Sequence, residues 1–146
     1  MEPPFFVYGT LRANQANAHL LRGAIARTRP AILGGAQMWN LGPYPMIVEA
    51  NEGEVCGELI EIEAAKYAAI LKSLDRLEGV DSAHPENPNA LYRRLRRIVH
   101  VEKEVVEAWV YFGREVSARR GKLVAGGDWL GRFAPPDSLV TQGHVK

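Results

Sequence analysis

Runs of strand-forming residues recur along this chain with few helical segments between them, and that order constrains the fold more than any other feature. Phe5-Phe6-Val7-Tyr8 is apolar throughout and stops at Gly9, which predicts a buried strand delivering a turn. Residues 31–39 and 46–49 read as two further strands. The Leu41-Gly42-Pro43-Tyr44-Pro45 loop between them carries prolines that cannot donate to a ladder. Residues 54–61 alternate well enough for a strand, with Val55, Gly57 and Leu59 on one side and Cys56, Ile60 and Ile62 displaced onto the other. Residues 92–101 and 105–112 are both β-rich, and the short Glu102-Lys103-Glu104 gap predicts a hairpin.

The clearest helix is expected over 63–77, where Tyr67, Ile70, Leu71, Leu74 and Leu77 recur at helical spacing and Gly79 supplies a stop. A shorter one is expected over 14–22, capped by Asn14 or Asn17. Strands and helices do not alternate regularly and the last pair is antiparallel, which favours an α+β domain over a doubly wound sheet. A small closed barrel would also hide its strand edges. With no repeat and no long linker, residues 1–146 are expected to form one domain. From about residue 114 a segment carrying Arg114, Arg119, Arg120 and Lys122, then Gly126-Gly127-Asp128-Trp129, then a polar tail, is expected to wrap the core.

Eighteen basic residues against seventeen acidic ones leave a formal charge of +1, so no global field favours nucleic acid or anionic lipid. A small ligand fits better. Cys56 is the only cysteine, which excludes an internal disulfide and multi-cysteine metal sites and makes a cytoplasmic home the simplest expectation. The N-terminal apolar run is far too short for a signal-peptide core or a membrane span. His19, His84, His100 and His144 lack metal-ligand spacing, and no serine sits in a Gly-x-Ser-x-Gly elbow. Cys56 reads as a small buried hydrophobe, Trp129 as a core-capping aromatic, and Arg93, Arg94, Arg96 and Arg97 as a solvated strand face.

Two places remain for chemistry. Glu78 ends the strongest helix, where the partial negative charge of the helix C-terminus and any burial both disfavour its anion and make it a better base. From position alone it also fits a solvated surface glutamate. Tyr8-Gly9-Thr10-Leu11 offers successive backbone N–H groups able to hold an anionic oxygen, although a glycine after a strand also suits an ordinary turn.

Taken in order, Val7-Tyr8-Gly9-Thr10-Leu11-Arg12 with Asn17, Tyr44-Pro45, Val55-Cys56-Gly57-Glu58-Leu59, Leu74-Asp75-Arg76-Leu77-Glu78-Gly79, Tyr92-Arg93-Arg94 and Gly127-Asp128-Trp129 form a pattern spanning nearly the whole chain. It resembles the γ-glutamylcyclotransferase-like superfamily, on its γ-glutamylamine cyclotransferase and AIG2-like branch. The resemblance implies a small mixed, largely antiparallel β-barrel with flanking helices. It also implies a cofactor-free enzyme of transferase or C–N lyase type that converts a small γ-glutamyl amine or peptide into 5-oxoproline and a free amine. By the same resemblance Glu78 is the base, backbone N–H groups of Gly9, Thr10 and Leu11 hold the glutamyl carboxylate or the oxyanion, and Tyr8, Tyr44 and Tyr92 wall the pocket. Two departures bear on substrate choice. Asn14 stands where the branch often has glycine, and the stretch between Glu78 and Tyr92 is longer than usual, with Pro85 and Pro88 suggesting an ordered flap. A non-catalytic binding module of the same fold and a γ-glutamyl amide hydrolase are the alternatives. The leaving amine and the oligomeric state are not specified by the sequence.

Overall fold

The computed structural model describes residues 2–131 of the chain. Its strands are β1 (Phe5–Val7), β2 (Ile25–Asn40), β3 (Pro45–Ile62), β4 (Tyr92–Val101), β5 (Glu104–Gly113) and β6 (Lys122–Leu123). The helices are α1 (Tyr67–Glu78) and the short α2 (Glu115–Ala118). The strand order β3-β1-β5-β4-β2, with β2 pairing back to β3, closes a five-stranded barrel, and β6 adds to the end of β2. Every pairing is antiparallel except β1 with β5. This is the mixed, largely antiparallel α+β barrel that the sequence leads one to expect.

Strand alternation sorts the core into two bodies. Phe6, Leu33, Met38, Val55, Leu59, Val99, Val110 and Phe112 come from all five barrel strands and fill the barrel with Trp129. Phe5, Val7 and Ile60 face the other way and pack with Tyr67, Ile70 and Leu74 of α1. Being covered on both faces explains why β1 is apolar at every position rather than alternating.

The structure departs from the expected elements in several places. The strands expected over 46–49 and 54–61 are one continuous strand, and β2 begins at Ile25. The long β2–β3 ladder absorbs a register shift between Gly34 and Ala36 and carries on. The helix expected over 14–22 is a single 3-10 turn, Ala18–Leu21, because Asn17 donates its side chain to Thr10 instead of capping a helix. Asn14 takes φ 66, the left-handed backbone that a glycine would otherwise supply. α1 starts at Tyr67, after a 3-10 turn at Ala64–Lys66. Beyond Gly113 the described chain runs back along the barrel, where Val124 N–H donates to the Met38 carbonyl at 2.8 Å and Cys56 N–H to the Gly127 carbonyl at 2.7 Å. The polar tail named above lies outside the described residues. Among those described, no helix is long and apolar enough to cross a membrane.

Candidate active site

Tyr8-Gly9-Thr10-Leu11 forms where the chain leaves β1. The turn closes with Arg12 N–H donating to the Gly9 carbonyl at 3.0 Å and Asn17 N–H to the Thr10 carbonyl at 2.7 Å. Asn17 Nδ2 also donates to Thr10 Oγ1 at 2.8 Å. These bonds use carbonyls and side chains, whereas the N–H groups of Gly9, Thr10 and Leu11 donate to no other described residue. Successive free amides at a turn make a concavity suited to an anionic oxygen.

A Cβ placed on Gly9 would lie 2.5 Å from Pro45 Cγ and 2.8 Å from its Cδ. The proline ring cannot swing aside, since it is part of the backbone that opens β3. Gly9→Ala is therefore expected to push the Tyr44-Pro45 corner off the turn, cost about 1 to 3 kcal/mol of stability and weaken ligand binding. Thermal unfolding and titration with a γ-glutamyl ligand check it; wild-type values in both would mean that Pro45 yields.

The turn lines a cavity of about 310 Å³ together with Asn17, Tyr44, Pro45, Glu78, Tyr92 and Tyr111. All seven residues singled out from the sequence, Tyr8, Gly9, Thr10, Leu11, Tyr44, Glu78 and Tyr92, thus meet around one space. Helix geometry puts Glu78 there, because it follows the fully buried Leu74 by four residues and so shares its inward stripe. Gly79 then ends α1 at φ 70. Leu77, one residue back, lies about 100° from Glu78 around the helix. It is exposed at the rim rather than occupying the core position its spacing predicts.

The Glu78 carboxyl makes no hydrogen bond or ion pair with a described residue. It keeps some contact with solvent through the cavity, yet burial pushes it up to about 7. The helix C-terminal dipole acts in the same sense. Burial also raises the phenols of Tyr8 and Tyr92, with the Glu78 carboxyl adding to both, so both stay protonated as hydroxyl donors. Tyr8 Oη donates to the Tyr111 carbonyl at 2.7 Å, while the Tyr92 hydroxyl bonds to no described residue.

Sequence reasoning missed the group that holds this arrangement. Asp75, one turn before Glu78, is 1% exposed and accepts from Arg94 Nε at 2.8 Å and Arg94 Nη2 at 3.1 Å. Tyr111 Oη donates to it at 2.7 Å and Ser82 Oγ at 2.9 Å. Arg94 also lies over the Trp109 ring, 4.2 Å from its centroid. Arg94 is therefore a buried anchor and not part of the solvated face expected for it, whereas Arg96 and its neighbours Arg93 and Arg97 pair with the exposed Glu107 and Glu49. A second clamp holds the turn: Arg12 Nη1 donates to Asp128 Oδ1 at 2.9 Å, with Glu58 3.7 Å from Arg12 Nε. The stretch after Gly79 is built on Asp81 and Asn87 turns and pinned by Arg94 N–H donating to the Pro85 carbonyl at 2.8 Å. It brings Leu91 to the cavity. Cys56 is half-buried and lies outside the cavity lining.

A small closed barrel whose flanking helix ends with an unpartnered carboxyl, in a ligand-sized cavity shared with free amides, defines a protein built around a small molecule. The chain belongs to the gamma-glutamyl cyclotransferase, AIG2-like family, whose pattern matches residues 5–131. It is 32% identical over 133 residues to the gamma-glutamylcyclotransferase family protein YtfP of Escherichia coli K12, covering 87% of this chain and 96% of that protein. An AIG2-like protein from Mus musculus superposes with a TM-score of 0.58 at 22% identity, over 75% of this chain and 76% of the mouse chain. YkqA from Bacillus subtilis superposes at 0.66 with 23% identity, over 98% of this chain and 43% of that longer one. The last two likenesses concern the fold.

Proposed function

We propose that this chain is a γ-glutamyl cyclotransferase, releasing 5-oxoproline and a free amine from a γ-glutamyl amide without water or a covalent enzyme intermediate. The observation that carries the reading is the unpartnered Glu78 carboxyl, raised to about 7, in the same cavity as the free N–H groups of Gly9, Thr10 and Leu11. An α-ammonium loses its proton at roughly 8, so an ordinary glutamate near 4.3 would leave transfer about 5 kcal/mol uphill. At about 7 the gap shrinks to roughly 1 kcal/mol. Glu78 takes that proton, the freed nitrogen attacks the γ-carbonyl carbon, and the C–N bond to the amine breaks as the proton passes from Glu78 to the leaving nitrogen. The second proton, shed by the attacking nitrogen as it becomes the lactam N–H, leaves with the amine, which departs as an ammonium. The turn amides hold the glutamyl carboxylate, and Tyr8, Tyr44 and Tyr92 wall the folded conformer. Holding a ring-forming conformer of this kind is worth up to about 7 to 11 kcal/mol.

The test is incubation with a panel of γ-glutamyl amines and dipeptides, followed by mass analysis of the products. 5-Oxoproline is expected. Free glutamate would instead make the chain a hydrolase, and tight binding without product over hours would make it a binding module.

A further inference from the structure

We infer that Asp128 is a positioning residue for the proposed reaction: acting through Arg12, it fixes the amide turn that holds the glutamyl carboxylate. The inference rests on the role given to that turn above. The N–H groups of Gly9, Thr10 and Leu11 donate to no other described residue, so no bond of their own sets their direction. Direction comes from the flanks of the turn. On one side the Pro45 ring packs on Gly9; on the other stands Arg12, whose backbone N–H closes the turn. The Arg12 side chain is only 10% exposed, and its Nε finds no hydrogen-bond partner among the described residues. Asp128 Oδ1, 2.9 Å from Nη1, therefore accepts the one hydrogen bond this guanidinium makes there, with Glu58 standing off at 3.7 Å. Neither Arg12 nor Asp128 lines the cavity, so any effect on a ligand passes through the turn.

Asp128 is held in place from both sides. Gly127, at φ 67, accepts from Cys56 N–H at 2.7 Å and lies so close to β3 that an added Cβ would collide with the Glu54 carbonyl. Trp129 is buried in the barrel core. With both neighbours tied to the barrel, the carboxylate reaches Arg12 from a rigid mount. The Asp128 side chain is itself 42% exposed, so packing of the core does not require an acid at that position. A carboxylate so placed, supplying the bond of a buried cation at the end of a row of free amides, fits preorganisation of the anion site. Fixing a site before its ligand arrives removes an ordering cost from binding.

The test compares wild type with Asp128→Asn, Asp128→Glu and Val124→Ala. It reads KM and kcat for the best γ-glutamyl amine of the panel above, and the Kd of 5-oxo-L-proline, the product that keeps the carboxylate. Asp128→Asn keeps the shape of the side chain without its charge, and should raise KM and Kd by about tenfold, within the range of residues that act on a ligand without touching it. Its kcat should stay within about threefold, because the turn holds the carboxylate equally before and during the reaction. Asp128→Glu restores the charge, with solvent room for the added methylene, and should remain within about threefold of wild type in KM and Kd. Val124→Ala thins the packing of the same segment in the barrel core and leaves the Arg12–Asp128 pair intact. Thermal unfolding should report that loss while KM and Kd hold to within about twofold. Wild-type KM and Kd in Asp128→Asn, an equal rise in Asp128→Glu or in Val124→Ala, or a loss confined to kcat would each overturn the inference. If wild type binds 5-oxoproline but forms none, the cyclisation reading falls and the Kd series still decides this one; if it does neither, both fall.

Discussion

Glu78→Gln is expected to lower kcat for 5-oxoproline release by about 10² to 10⁴, the usual contribution of a positioned acid–base group, while leaving substrate binding in place. The same substitution should stabilise the fold at alkaline pH. In the folded chain the carboxyl sits at about 7, above its value in the unfolded chain, so between roughly 4.5 and 7 the native state holds a proton that the unfolded state has released. Wild-type stability therefore falls relative to the glutamine variant as pH rises through that window. The loss is on the order of 1 to 3 kcal/mol once pH exceeds 7, the lower end allowing for the solvent that still reaches the group. The measurement is thermal unfolding of both proteins from pH 4 to 9. The curves should coincide in acid up to a constant offset and separate by a few degrees above neutrality. In wild type, kcat/KM should rise with pH through about 7 as the base ionises. A variant that turns over normally, or a gap that does not change with pH, would remove Glu78 from the role assigned to it.

The second large effect concerns stability. Asp75→Ala leaves the Arg94 guanidinium buried with only the Trp109 face for company, and strips Tyr111 and Ser82 of their acceptor. Breaking a buried pair by removing one partner costs about 3 to 5 kcal/mol. Against a total stability of about 5 to 15 kcal/mol this is a large fraction of the fold. The double variant Asp75→Leu with Arg94→Leu removes both charges and should recover much of the loss, so the two costs should be far from additive. Denaturant unfolding of Asp75→Leu, Arg94→Leu and the double variant gives the coupling directly. Additive costs would mean that the pair is not held as described.

The fold was legible wherever local pattern decides it. β1, the β4–β5 hairpin and α1 follow from apolar runs, a short gap and helical spacing. Legibility failed where a distant partner overrides the pattern. Arg94 looks like Arg93, Arg96 and Arg97 in the sequence, and only the approach of Asp75, nineteen residues earlier, withdraws it from solvent. The expected helix over 14–22 is lost because Asn17 is used on Thr10, a bond to the turn that follows β1. Arg12 and Asp128 stand at opposite ends of the described chain, and nothing local in either marks them as one clamp.

The sequence by itself determined the family and the elements that local pattern decides: hydrophobic spacing, a glycine that ends a helix and an apolar run that ends in a turn are properties of neighbouring residues. Tertiary structure alone decided how the two carboxylates that close α1 differ. Asp75 and Glu78 are three residues apart on one helix, yet the barrel delivers Arg94, Tyr111 and Ser82 to the first and an amide-lined cavity to the second. Which of two neighbouring acids is neutralised and which is left as a base depends on the charges brought to it across the fold, and no local spacing encodes that.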